Sequence, residues 1–117
     1  MSNITNARIT STMLGVEDHG NFMTFLIGLE WSGSGQGFGG LALDMWSKEK
    51  DCRVGHPDSI MIIRRIIEAV GVSKWEDLEG KYVRIRREAD SWNAKIDAIG
   101  HIVDDEWCVL SDFYKKV

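Results

Sequence analysis

Helical spacing of apolar residues occurs in one stretch of the chain. In 57–70, PDSIMIIRRIIEAV, residues Ile60, Ile63, Ile67 and Val70 recur at intervals of three and four, with Ile62 and Ile66 beside them. Pro57 suits the first helical position, where its missing N–H leaves no bond unmade. Asp58 puts negative charge at the positive end of the helix dipole, and Gly71 supplies a left-handed terminator. Only one other helical signal is present: Ser73 with Glu76 matches a capping box, so 73–80 reads as a single short turn ending at Gly80. A chain with one main helix and otherwise alternating runs must bury that helix against a sheet, which makes it α+β.

The alternating runs read as antiparallel hairpins. Residues 4–14 form an edge-like strand, and GVEDHG, 15–20, is a turn. In 21–31 the alternation puts Met23, Phe25, Ile27, Leu29 and Trp31 on one face. SGSG, 32–35, turns the chain into a strand over 36–44. The polar stretch 45–55 reads as a loop. After the helix, 81–87 is a strand with Val83 and Ile85 inward, 88–93 a turn, and 94–103 a strand with Ile96, Ala98, Gly100 and Ile102 on one side. A turn at 104–106 and a short strand at 107–110 follow, and the tail FYKKV is frayed or docked on a neighbour. No repeat or linker interrupts the 117 residues, so a single domain, 1–117, is expected.

Charge narrows the function. Fourteen Lys+Arg against 18 Asp+Glu give a net charge of −4. Such a chain does not coat duplex nucleic acid or an anionic membrane by bulk attraction, though a few local arginines can still hold a small anion. No apolar run reaches the roughly 20 residues of a membrane helix. The two cysteines, Cys52 and Cys108, share no motif, which fits a reducing compartment.

No complete catalytic signature is present. His19, His56 and His101 are scattered, none in a metal-binding spacing, and neither metal nor cofactor is expected. Gly35, Gly37 and Gly40 match a dinucleotide fingerprint, but no helix follows, so that reading fails. Glycines inside a strand still need a reason: a bulge, or the close approach of a backbone or ligand. Gln36, Gly37, Phe38 and Gly39 are therefore candidate ligand-binding residues. In KYVRIRR, 81–87, Tyr82, Arg84 and Arg86 share a face. A ring beside two guanidinium groups suits a nucleotide, the ring stacking on the base and the arginines pairing with phosphate. The alternative is a solvated face with arginines paired to acids such as Asp97. Arg64 and Arg65 leave a positive patch on the helix that Glu68 cannot neutralise alone. Trp92 and Asn93, at a hairpin tip, offer a stacking lid or an interface anchor, unless the ring folds back onto the sheet. Trp46 and Trp75 read as structural.

ITNARITSTMLGVEDHG, LEWSGSGQGFGGLALD, VGVSKWEDLEGKYVRI and AIGHIVDDEW together resemble the phage Thoeris anti-defence proteins of the first described type, and the resemblance covers nearly the whole chain. It implies a sponge: a protein that binds cyclic ADP-ribose isomers made by bacterial TIR-domain proteins, and in some members cyclic oligonucleotides, without breaking them. It further implies a homo-oligomer, between dimer and hexamer, working in the host bacterial cytoplasm. It assigns no contact residues to this chain. Two other functions stand beside it: a protein-binding inhibitor of a host defence enzyme, and a small nucleotide hydrolase using His19 or His101.

Overall fold

A computed structural model describes residues 3–89 and 94–114. The elements are β1 (Ile4–Glu17), β2 (Phe22–Trp31), β3 (Ser34–Ala42), β4 (Asp44–Ser47), β5 (Cys52–Gly55), α1 (Ser59–Val70), β6 (Tyr82–Arg87), β7 (Ile96–Gly100) and β8 (Trp107–Val109), with single 3₁₀ turns at Trp75–Asp77 and Leu110–Asp112. The expected α+β architecture is present. Six antiparallel strands run in the order β3-β2-β1-β6-β7-β8, and β4 with β5 makes a separate hairpin.

β1 is the spine. Its first half pairs with β6, from Ile4↔Arg86 to Arg8↔Tyr82, and it pairs with β2 from Arg8↔Glu30 to Glu17↔Phe22. Fourteen residues at about 3.3 Å each reach about 46 Å, the length of the molecule, whose extents are 46 × 28 × 27 Å. The β1–β2 pair loses register between Ile9 and Ser11. That bulge opens β1 for Gly80 and Lys81: Ile9 N–H donates to the Lys81 carbonyl and Gly80 N–H to the Ile9 carbonyl, both at 2.8 Å.

One face of the sheet carries the core. Phe25, Ile27, Leu29 and Trp31 from β2 meet Ala7, Ile9, Val83, Ile85 and Ile99. Ile62, Ile66, Ala69 and Val70 of α1 pack onto the same cluster. The expected burial of alternate residues in 21–31 and of Val83 and Ile85 is thus observed. Trp75 stands edge-on to Phe25 at 6.1 Å and is structural, as expected.

Several local expectations are corrected. Residues 45–55 are not a loop: Met45 pairs with Val54 and Trp46 with Arg53 in a hairpin, tied to β2 by the Asp44 carboxylate, which accepts the Met23 N–H at 3.1 Å. Trp46 is not buried structure but lies 56 % exposed. The helix begins at Ser59, after Pro57 and Asp58. Asp58 makes no side-chain cap; its carboxylate accepts the backbone N–H of Tyr114 at 2.8 Å. The tail segment Phe113–Tyr114 therefore docks on its own chain, with the Tyr114 ring 4.1 Å from that of His56. The Ser73–Glu76 capping box does not form, and the 3₁₀ turn there starts after an extended Lys74. In β7, Ile96 pairs with Arg87 and Ala98 with Arg86, so Asp97 is an inserted residue. The insertion breaks the expected single face, placing Ile96 on the core side with Ile99.

Candidate functional site

The glycine-rich strand β3 is an edge strand. Phe38 faces inward, 1 % exposed, with its ring 6.4 Å from Phe25, so its side chain packs the core. Gly39 and Gly40 form a bulge: β2–β3 pairing shifts register between Thr24↔Ala42 and Leu26↔Gly39. Both have positive φ, 113° and 82°, and a Cβ on Gly39 would stand 2.5 Å from the Phe25 ring. Of the two reasons a strand holds glycine, the bulge accounts for these two. Gly37, by contrast, lies exposed opposite Gly28 and needs no special φ.

Gln36 reaches across from β3 to the start of β7. Its Nε2 donates to the Ala94 carbonyl at 3.0 Å, and its Oε1 accepts the Ile96 N–H at 2.7 Å. The sheet therefore curls until its β3 edge faces β7, and a side chain bridges the gap in place of a strand. Beside that bridge lies a cleft of about 640 Å³ lined by Gln36, Gly37, Gly39, Lys95, Asp97 and Leu110, among others. Arg86 stands at its Asp97 wall, bonded in two places to that carboxylate at 3.0 and 3.1 Å. The Asp97 bond is the main reason the Arg86 guanidinium holds its proton more tightly than an ordinary arginine.

The outer face of β6 divides by residue. Tyr82 is 63 % exposed and sits opposite Arg8, which in turn faces Glu30. Asn6, Arg8, Glu30, Ser32 and Tyr82 line a shallow recess of about 260 Å³. Arg8 was missed by sequence reading, because its place beside Tyr82 follows only from the β1–β6 register. Arg84 points elsewhere. Its Nε donates to the His101 carbonyl at 2.7 Å and its Nη2 to the Asp104 carbonyl at 2.6 Å, while its guanidinium lies 5.0 Å from the Trp107 ring. A cation held by two carbonyls and an indole is a structural clamp.

That clamp explains the IGHIVDDEW segment. The His101 Nδ1 accepts the N–H groups of Val103 and Asp104, at 3.1 and 2.9 Å, and so closes the turn. Trp107 crosses Gly100 so closely that a Cβ there would stand 2.5 Å from the ring. EDHG has a similar local reason. The Glu17 carboxylate accepts the N–H groups of His19 and Gly20 at 2.8 Å, and these bonds, with the His19 ring, hold it below the usual carboxylate range.

The helix arginines are also engaged. Arg64 pairs with Glu68 at 3.1 Å. Arg65 donates to the Trp107 carbonyl at 2.8 Å and pairs with Glu106 at 3.1 Å, fastening α1 to β8. The structure thus brings Gln36, Gly37 and Gly39 together with Glu88, Lys95 and Asp97, and Arg86 reaches this group only through its pairing with Asp97. It places Tyr82 with Arg8, and sets Arg84, Arg64 and Arg65 apart in intramolecular roles. Trp92 and Asn93 lie outside the described residues. Among the described residues, no group of three His, Cys, Asp or Glu is placed to hold a metal ion, and no helix is long and apolar enough to cross a membrane. Cys108 is buried, and desolvation pushes its thiol up to about 12; Cys52 is exposed.

No protein-family model matches the chain, and no curated protein or solved structure matches it either.

Proposed function

We propose that the protein is a phage anti-defence sponge that binds a cyclic nucleotide messenger of the cyclic ADP-ribose class and holds it unbroken. The observation that carries this reading is the cleft beside β3. Three residues marked in the sequence, Gln36, Gly37 and Gly39, line it together with Lys95 and the Asp97 partner of Arg86. Its volume, about 640 Å³, falls within the roughly 300–1,000 Å³ of small-molecule sites. Exposed Gly37 lets a ligand approach the backbone closely, Lys95 supplies a cation beside the carboxylates of Glu88 and Asp97, and Leu41, Ile96 and Leu110 supply an apolar wall for a base. A phosphate entering here competes with Asp97 for Arg86, exchanging one charge-assisted pair for another.

Self-association belongs to the same proposal. Beyond the core, the β1–β2 arm exposes Met13, Leu14, Val16 and Leu26, and nearby elements expose Met45, Trp46, Ile60 and Met61. An apolar cleft of about 340 Å³ between Leu14, Leu43, Val54 and Ile63 opens on this side. Patches of this kind mark interaction surfaces, and a homo-oligomer covers them economically.

The test is incubation of the protein with cyclic ADP-ribose isomers, followed by heat denaturation and chromatography of the released nucleotide. The expected result is a raised melting temperature, through binding to the native state, and intact recovery of the nucleotide. A cleaved product points instead to a hydrolase. No shift with any isomer, together with co-purification of a host protein, points to the protein-binding inhibitor.

A further inference from the structure

Opposite charges that face each other across antiparallel strands ordinarily bond to one another. Arg8 of β1 faces Glu30 of β2 on one side and Tyr82 of β6 on the other. Ring, guanidinium and carboxylate thus form one row across three strands, and all three residues are exposed. Yet no ion pair joins Arg8 to Glu30. Among the described residues, the side chains of Arg8, Glu30 and Tyr82 have no hydrogen-bond or ion-pair partner. Arg8 differs in this from the other described arginines, each of which is engaged by an acid, a carbonyl or a ring.

The row borders a recess. Pairing of β1 with β2 starts at Arg8↔Glu30, and β2 ends at Trp31, where the chain turns off through Ser32. The notch left there holds about 260 Å³, with Asn6, Ala7, Trp31 and Ser32 beside the row. That is below the roughly 300–1,000 Å³ of sites for drug-sized ligands, so its occupant is small.

Charge selects the occupant further. Arg8 and Glu30 sum to zero, so a phosphate drawn to Arg8 is repelled by Glu30. A molecule with a carboxylate and an ammonium side by side satisfies both, the carboxylate on the guanidinium fork and the ammonium on the Glu30 oxygens. Neighbouring strands stand about 4.8 Å apart. The Tyr82 ring therefore lies one strand beyond Arg8, within reach of a side chain carried on the same carbon as the two charges. A second ring is the favoured partner for an open ring face.

We infer that this recess is a binding site for a free aromatic α-amino acid, held by its carboxylate on Arg8, its ammonium on Glu30 and its ring on Tyr82. The inference goes beyond the messenger reading and does not depend on it, because the recess shares no residue with the cleft beside β3.

The probe is L-phenylalanine, titrated into the full chain and followed by nuclear magnetic resonance. A saturable shift is expected in the Arg8 side-chain Nε–H signal and in the backbone amides of Arg8, Glu30 and Tyr82. Phenylalanine amide lacks the carboxylate, N-acetylphenylalanine the ammonium and alanine the ring. Each is expected to bind about fivefold more weakly, the upper worth of one exposed charge pair or ring contact. Arg8→Gln and Tyr82→Thr are expected to weaken phenylalanine by a similar factor, with unchanged circular dichroism showing that these exposed positions still fold. Glu30→Gln is expected to bind phenylalanine and N-acetylphenylalanine alike, since no carboxylate remains to prefer a free ammonium. The inference is overturned if no saturable shift occurs up to the solubility of phenylalanine, or if the three analogues bind as well as phenylalanine. Preference for the free ammonium surviving in folded Glu30→Gln also overturns it, as does tighter binding of adenosine monophosphate than of phenylalanine at these residues. Because no cyclic messenger is present and the cleft beside β3 is untouched, these outcomes stand apart from the fate of the messenger proposal.

Discussion

Single residues decide the shape of the last quarter of the chain. At Gly100, Gly100→Ala drives a methyl into the Trp107 ring, 2.5 Å away. The expected cost is about 1–3 kcal/mol of overpacking, read from urea unfolding. Arg84→Lys is expected to recover little of what Arg84→Ala loses, because one ammonium cannot span two carbonyls and stack on Trp107 as a planar guanidinium does. The thiols separate by the same reasoning. With its thiol raised to about 12 by burial, Cys108 is expected to stay unreactive in the folded protein at pH 8, while exposed Cys52 reacts. Ellman's reagent should therefore count one thiol in the native chain and two in denaturant.

At the scale of elements, the hairpin β4–β5 and the bridge to β7 are two of the places where structure and pattern part. Asp44 is held below the usual aspartate range, first by the hydrogen bond from Arg53, which donates at 2.8 Å, and then by the Met23 N–H. Its folded value lies below its unfolded one. The contribution is therefore complete above the ordinary aspartate value and disappears as pH falls through the lowered one. The hairpin is expected to loosen from β2 in acid below about pH 4, seen as loss of the Met23 amide's protection, and Asp44→Asn should remove that pH dependence. Gln36→Ala is expected to cost about 1–3 kcal/mol, since it leaves the Ala94 carbonyl and Ile96 N–H without their partner. Exchange at Ile96 should quicken first.

These two elements also show what pattern alone conveys. β2 was plain because one side faces a dry core and the other does not, so Phe25, Ile27, Leu29 and Trp31 alternate. The strands of β4–β5 bury little, and Met45 and Trp46 side by side on an exposed hairpin give no such period. The face of β7 departs from simple alternation because Asp97 is an inserted residue, which leaves no mark in composition. Of the candidate site, the glycines of β3 could be marked from sequence, but not their meeting with Lys95 and Asp97, which depends on the curl of the sheet. Arg84 illustrates the opposite error. It alternates with Tyr82 as the pattern predicts, yet its charge is spent on carbonyls of a turn seventeen residues away, which local pattern does not reveal.

Over the whole molecule, exposed apolar surface is concentrated on the β1–β2 arm and the side where α1 meets the β4–β5 hairpin. If copies of the chain cover that surface, Val16→Lys with Ile60→Glu, at positions 60 % and 71 % exposed, is expected to lower the sedimenting mass while leaving the fold intact. Sedimentation velocity with far-ultraviolet circular dichroism separates the two effects. Unchanged mass removes this surface from the assembly.

The central place of β1 sets a schedule for synthesis. One side of its first half is closed by β6, from Tyr82 to Arg86, which is synthesised well after β1. While a ribosome extends the polypeptide through the helix, β1 and β2 can zip together, but the strand's other flank waits for residues that have not yet been polymerised. A nascent chain stalled before Tyr82 therefore displays a long raw border beside Ala7 and Ile9, and is a natural client for chaperones.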